Sequence, residues 1–292
     1  MIALTGATGF VGGRLLRRFQ EEGRDVRCLT RRPEALDGCD AVRADVLEPE
    51  TLGPALEGVA VAYYLVHAIG DADAFEETEA EGARNFATAA KEAGVRRIVY
   101  LGGLARGEDL SDHMRSRQEV GRLLAATGVE VIEFRASIVI GAGSFSYELI
   151  RKLVGNSPVV ALPSWADTQS QPIALDDVVE YLVRAADAQV EGGVFEIGGA
   201  DTLSYRDLVA AYGEEAGEVR LQVRVPLPDP IITSGDLPSV LTNLIPEQGR
   251  AAAKLIESLR FESTVEDPSA EVFGVRPVGV REALRTALRD AA

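Results

Sequence analysis

The sequence predicts an α/β protein, a doubly wound parallel sheet with a small C-terminal α+β lobe. Three observations carry this reading. Short apolar runs alternate with amphipathic stretches through the first half of the chain. Those runs are apolar at successive positions, as strands covered by helices on both faces require. A glycine-rich turn joins the first run to the first amphipathic stretch, and strand–helix alternation with right-handed crossovers builds a single sheet.

Taken in order, Met1 to Thr5 opens as a buried strand, Ile2-Ala3-Leu4-Thr5. Val11 to Glu22 reads as a helix with Leu15, Leu16 and Phe19 on one face, stopped by Gly23. Val26 to Thr30 is a second strand, Ala41 to Arg43 a short third, and Pro49 to Leu56 a short helix. Ala60 to Val66 is a fourth strand, apolar throughout, before a long helix from Ala74 to Ala93 that Gly94 ends. Arg97 to Leu101 is the fifth strand. Ser111 to Thr127 is a helix ended by Gly128, and Val129 to Phe134 is the sixth strand. Ser144 to Gly155, Asp176 to Asp187 and Ser204 to Glu215 read as further helices, with a short strand at Val194 to Ile197. Proline becomes frequent beyond Val219, at positions 226, 228, 230, 238 and 246. Leu237, Val240, Leu241, Leu244, Ile245, Leu255, Ile256 and Leu259 keep this part too apolar for disorder. The expected division is a nucleotide-binding domain over 1–215, with elements returning to it from about 172, and a lobe over 216–292 packed on it.

Composition narrows the function. The 292 residues carry 30 basic and 46 acidic side chains, a net charge of −16. Such a surface does not suit nucleic acid or anionic lipid, which need clustered positive charge. Two cysteines, Cys28 and Cys39, are too few for a disulfide scaffold. With two histidines and no C-x-x-C spacing, a zinc site is not expected. The uncharged stretch Val59 to Gly70 is too short to span a bilayer. No basic leader precedes the first strand, so a soluble cytoplasmic protein is expected.

The strongest motif is Thr5-Gly6-Ala7-Thr8-Gly9-Phe10-Val11-Gly12, a G-x-x-G-x-x-G turn between strand and helix. Glycine lets the chain leave the strand sharply, lets the backbone approach a pyrophosphate, and lets the helix pack close to the sheet. The helix start then offers N–H groups and a positive dipole end to the anion. The motif therefore points to a bound dinucleotide. An acid at the end of the second strand would hold the ribose hydroxyl of NAD, but this chain has Thr30-Arg31-Arg32 there. An arginine pairs with a 2′-phosphate, so NADP(H) is expected over NAD(H). The competing reading is a pair of solvated surface arginines.

These residues carry a family resemblance. TGATGFVGG at the start, ADVLEP around Asp45, YLGG after the fifth strand and RASIVIGAGS from Arg135 resemble the short-chain dehydrogenase/reductase superfamily. They look like its atypical and extended branches, the NmrA-like NAD(P)-binding proteins with a Rossmann fold. SRQEVGRLL, WADTQSQPIALDDV and IESLRFESTVEDPSAEVFGVRPVGVREAL are similar to the YbjT-like group, and the likeness extends over essentially the whole chain. The resemblance implies that Gly6, Thr8, Gly9, Phe10, Val11 and Gly12 hold the pyrophosphate and that Arg31 meets the adenosine ribose or its phosphate. It implies that Asp45 and Val46 touch adenine. Leu65, Val66 and His67 would border the adenosine ribose and pyrophosphate. Leu101, Gly102 and Gly103, with Arg135, Ala136 and Ser137, would flank the nicotinamide.

The pattern breaks at the catalytic positions. Reductases of this superfamily typically use a Tyr-x-x-x-Lys pair and a serine after the fifth strand. Here the serine positions read Gly102 and Gly103, the tyrosine falls on His113 and the lysine on Arg117. The chain has only three lysines, Lys91, Lys152 and Lys254, and none follows a tyrosine by four residues. His113 could act as a general acid near neutral pH, with Arg117 as a fixed cation one helical turn on. The plainer alternative is a surface histidine and a solvated arginine. Tyr63 and Tyr64 read as core, Cys28 as buried and inert, and Trp165 as a pocket wall or a packing residue. An NADP(H)-dependent oxidoreductase acting on a small organic molecule is the first expectation. A non-catalytic dinucleotide sensor or assembly protein with a regulatory protein partner comes second, and a nucleotide-sugar epimerase third. Helices at 74–93 and 111–127 leave room for a homodimer without requiring one.

Overall fold

The computed structural model describes residues 1–36, 38–66, 75–106, 110–225, 256–267 and 269–291. The first half lays down β1 (Ile2–Thr5), α1 (Phe10–Glu21), β2 (Val26–Thr30), β3 (Asp40–Arg43), α2 (Pro49–Leu56) and β4 (Val61–Tyr64). There follow α3 (Phe75–Glu92), β5 (Arg97–Gly103), α4 (Asp112–Ala125) and β6 (Glu130–Ala136). The remainder adds β7 (Val139–Ile140), α5 (Phe145–Gly155), β8 (Val159–Pro163), β9 (Gln169–Ser170), β10 (Ile173–Ala174), α6 (Leu175–Ala185) and β11 (Gly193–Ile197). It ends with β12 (Leu203–Ser204), α7 (Tyr205–Glu215), β13 (Leu221–Val225), α8 (Ala270–Phe273) and α9 (Val280–Asp290).

Seven strands pair in parallel in the order β11-β6-β5-β4-β1-β2-β3. The order reverses between β1 and β4, so a crevice opens above their carboxyl ends. One face is apolar through Leu4, Cys28, Tyr63, Ile132 and Phe134 and packs against Leu15, Leu16 and Phe19 of α1 and Val178 and Leu182 of α6. The other face, with Ala3, Leu29, Ala62, Tyr64 and Ile98, is covered by α2, α3 and α4. Tyr63 and Tyr64 are core residues, as expected. Tyr63 also donates its hydroxyl hydrogen to Leu182 O of α6 at 2.7 Å, which satisfies a buried polar group. Cys28 is buried, and burial together with neighbouring Cys39 pushes its thiol pKa up to about 12.

A second core sits beside the sheet. It joins Tyr147, Leu149 and Ile150 of α5, Val160 and Leu162 of β8, Leu208 and Tyr212 of α7, and Ala283, Leu284 and Ala287 of α9. It thus draws on chain from both sides of residue 215. Conversely, Phe273 of α8, from beyond that position, packs in the sheet's core. The Leu237 to Ile245 stretch and Leu255 lie outside the described residues.

Candidate functional site

The glycine turn takes its shape from close approach. Gly6 leaves β1 with φ of +70°, a left-handed conformation that glycine adopts without strain. A Cβ on Gly6 would collide with Leu65 O, and one on Gly12 with Gly6 O. The Gly9 N–H donates to Gly6 O at 2.9 Å and closes the turn. α1 starts directly after Gly9 with no side-chain cap and no acid in its first turn. Its leading N–H groups and positive dipole end are thereby left for an anion. Thr8 and Gly9 are exposed at the turn, Val11 packs inward, and the Phe10 ring lies against Gly141. The cradle fits a pyrophosphate.

Thr5 widens the switch point. The last paired residues of β1 and β4 are Leu4 and Tyr63. One step beyond, the Thr5 hydroxyl accepts from Leu65 N–H and donates to Tyr63 O, both at 2.9 Å. A side chain thus replaces the backbone ladder where the strands separate. Leu65 and Val66 are half-buried beside it, and His67 lies outside the described residues.

At the end of β2, Arg31 and Arg32 are exposed. Neither guanidinium has a hydrogen-bond or ion-pair partner among the described residues, although most arginines of this chain are ion-paired. The turn after β3 is hydrogen-bonded. An Asp45 carboxylate oxygen accepts from Leu47 N–H at 3.0 Å, and Asn85 of α3 donates to Val46 O at 2.9 Å.

The far end is formed by β5, β6 and α4. Leu101, Gly102 and Gly103 pair with Phe134, Arg135 and Ala136. A Cβ on Gly103 would stand 2.8 Å from Met114 Sδ, so Met114 takes the room a serine side chain would need. His113 and Arg117 are each only 8% exposed, which overturns the solvated-surface alternative. Ser111 caps α4 and sets His113 in its first turn. Arg117 donates to Leu101 O, forms a 3.7 Å ion pair with buried Glu79, and stacks over the Tyr100 ring at 4.9 Å. Tyr100 O–H returns a bond to Arg117 O at 2.9 Å, and Ser116 donates to Glu79 at 2.6 Å. This network was not foreseen, because Glu79 comes from a different helix. Trp165 packs against Tyr205 of α7, ring centroids 6.2 Å apart.

The segment 256–267 reaches across this end. Ser258 Oγ lies 3.1 Å from Ser111 Oγ, and Ser263 Oγ 2.7 Å from Ser137 Oγ. Arg106 donates to Thr264 O at 3.2 Å and grips both oxygens of Glu196 at 2.7 and 2.6 Å. Glu196 also accepts from Glu266 N–H at 2.8 Å. Among the described residues no helix is long and apolar enough to cross a membrane, and no cluster of three or more metal-ligating residues occurs.

A glycine cradle set at the switch point of a seven-stranded parallel sheet defines the class of fold, a doubly wound Rossmann-like α/β architecture. Comparison with known proteins makes this more particular. Residues 6–133 match the NAD(P)H-binding family. Over 254 residues the chain is 27% identical to a ceramide reductase from Caulobacter vibrioides, covering 84% of this chain and 79% of that one. It is also 27% identical over 216 residues to an uncharacterized Mycobacterium tuberculosis protein, but spans only 23% of that protein's length. Among solved structures, the NADPH-dependent quinone oxidoreductase of Escherichia coli, complexed with NADPH, has a TM-score of 0.77 at 19% identity, covering 97% of this chain and 98% of that one. A nucleoside-diphosphate-sugar epimerase from Staphylococcus aureus has a TM-score of 0.76 at 17% identity, covering 97% and 99%. These neighbours share the fold.

Proposed function

We propose that the protein is an NADP(H)-dependent oxidoreductase that reduces a small organic carbonyl compound or quinone without a tyrosine–lysine pair. The observation that carries the cofactor preference is the Arg31–Arg32 pair at the end of β2, without a side-chain partner among the described residues, where the sequence places no acid to receive a ribose hydroxyl. The names of a ceramide reductase and of an NADPH-dependent quinone oxidoreductase among the relatives and neighbours agree with a reductase. When bound, the nicotinamide supplies the hydride; the protein positions the reactants and steadies charge. Gly6 to Gly12 hold the pyrophosphate and Arg31 the 2′-phosphate. Asp45 and Val46 border adenine. Arg117 fixes the end of β5 through Leu101 O, and His113 is the proton donor. The site of action in this reading is the cytoplasm.

The test is a titration with NADPH and NADH, followed by nicotinamide fluorescence, and then a panel of quinones and enones. NADPH is expected to bind more tightly. Arg31→Ala should raise its Kd about 10- to 100-fold, since hydrogen bonds to charged groups are worth about 1.5–3 kcal/mol, and leave NADH nearly unchanged. Equal affinities that ignore the substitution would sink the preference. A second reading, a dinucleotide-responsive binding protein without turnover, is favoured by Met114 filling the serine position. Tight NADPH binding with no oxidation by any panel member would select it.

A further inference from the structure

Strand β6 carries two charged residues toward the site. Ile132, Phe134 and Ala136 belong to the core shared with α6, so the alternate residues Glu133 and Arg135 turn to the α4 side. Glu133 is only 4% exposed. Its carboxylate presses against Gly121 of α4, where any Cβ would overlap it. A buried carboxylate is costly unless paired, and Glu133 is paired: Arg135 Nε donates to Oε1 at 2.6 Å. This bond uses one edge of the guanidinium. Among the described residues, neither terminal nitrogen of Arg135 has a partner, and the side chain is 23% exposed. Across the ladder from Arg135 stands Gly102, where a Cβ would come within 3.1 Å of Glu133 Oε1 and 3.2 Å of the Tyr100 ring, so glycine leaves room for the paired carboxylate. A guanidinium pinned at Nε presents its remaining donors as a preset fork.

We infer that Arg135 receives the oxygen of the substrate at the hydride-transfer end of the site, and that Glu133, seated against Gly121, is the positioning residue that aims it. The inference rests on the reductase reading above and deepens it. It names the substrate class: a quinone or enone whose carbonyl oxygen takes on negative charge as it is reduced. The C–H bond at the nicotinamide breaks and a new bond to hydrogen forms on the substrate. The carbonyl π pair moves onto oxygen, where the fork of Arg135 meets it. One proton from water, relayed by His113, completes a two-electron reduction to the hydroquinone or saturated ketone, and the nicotinamide is left oxidised. Placing donors where charge develops is the most effective way a site lowers such a barrier. It also supplies the function of a hydroxyl that Gly102 and Gly103 cannot carry.

The test uses 2-hydroxy-1,4-naphthoquinone, a quinone that is anionic at neutral pH, with full-length protein saturated with NADP⁺. Its binding is read by visible absorbance. Arg135→Gln should weaken binding of this anion at least tenfold, while the protein still binds NADPH. With 1,4-naphthoquinone as substrate, kcat should fall about a hundredfold. Glu133→Gln keeps an acceptor for Nε and should retain most of the affinity, whereas Glu133→Ala should lose it. The double variant Arg135→Gln/Glu133→Gln leaves no buried unpaired charge, and its melting curve shows whether loss of binding is loss of fold. Equal affinity of wild type and a folded Arg135→Gln for the anion overturns the assignment and leaves the reductase reading standing. So does failure of the NADP⁺-loaded wild type to bind the anion at all. Failure of the wild type to bind NADPH overturns both readings.

Discussion

Single residues of this site owe their properties to partners distant in sequence. Burial raises the carboxyl of Glu133 above its ordinary value of 4.5, and the bond from Arg135 offsets this only in part. An acid raised in the folded state contributes stability that is present below the unfolded value and is lost as pH rises through the folded value. Relative to Glu133→Gln, the wild type should therefore gain stability as pH falls from 7 toward 4.5. Paired thermal melts across that interval check this, and a constant difference would contradict it. The glycines of the turn were legible in the sequence because their work is local, within residues 6–12. Thr5 was not, because its partners Tyr63 and Leu65 lie about sixty positions away. Counting along the motif found His113 and Arg117 but left their burial open. Arg117 is held by Glu79 and Tyr100, which no spacing rule connects to it.

Elements were legible where their ends are punctuated. Gly23, Gly94 and Gly128 follow α1, α3 and α4 in left-handed conformations. Strands β5 and β6 run two residues further than expected, to Gly103 and Ala136. Glycine in a sequence suggests a break, but here Gly102 and Gly103 find ladder partners in Arg135 and Ala136 and continue the sheet. The crossover from α6 to β11 depends on one residue that no pattern marks. Arg97, 2% exposed, donates to Glu130 and to the carbonyls of Ala185, Ala188 and Val190. Arg97→Ala should destabilise the protein by about 3 kcal/mol, because it leaves buried acceptors unmatched. Arg97→Lys should recover little, since an ammonium lacks the planar fork. Denaturant unfolding measures both.

At the scale of the molecule, early and late chain pack together in both cores. Phe273 lies edge-on to Phe134 at 4.9 Å and Phe195 at 5.0 Å, and 6.0 Å from Tyr181. Composition marks where character changes, whereas such contacts depend on three-dimensional return. Phe273→Ala should cost about 3 kcal/mol, within the range for emptying a buried aromatic site. It should lower a single melting transition; a melt that splits in two would show that the two cores unfold separately. The clasp of Glu196 by Arg106 and by the amides of Glu266 and Asp267 draws on the same late chain. Proteins are synthesised from the N-terminus. A ribosome that has made only residues 1–225 has already joined every glycine of the cradle and every strand of the sheet. It has not yet supplied the pieces that secure β11. The growing chain then holds its nucleotide-binding motif in a sheet whose edge strand β11 gains its clasp only once residues 262–275 have left the exit tunnel.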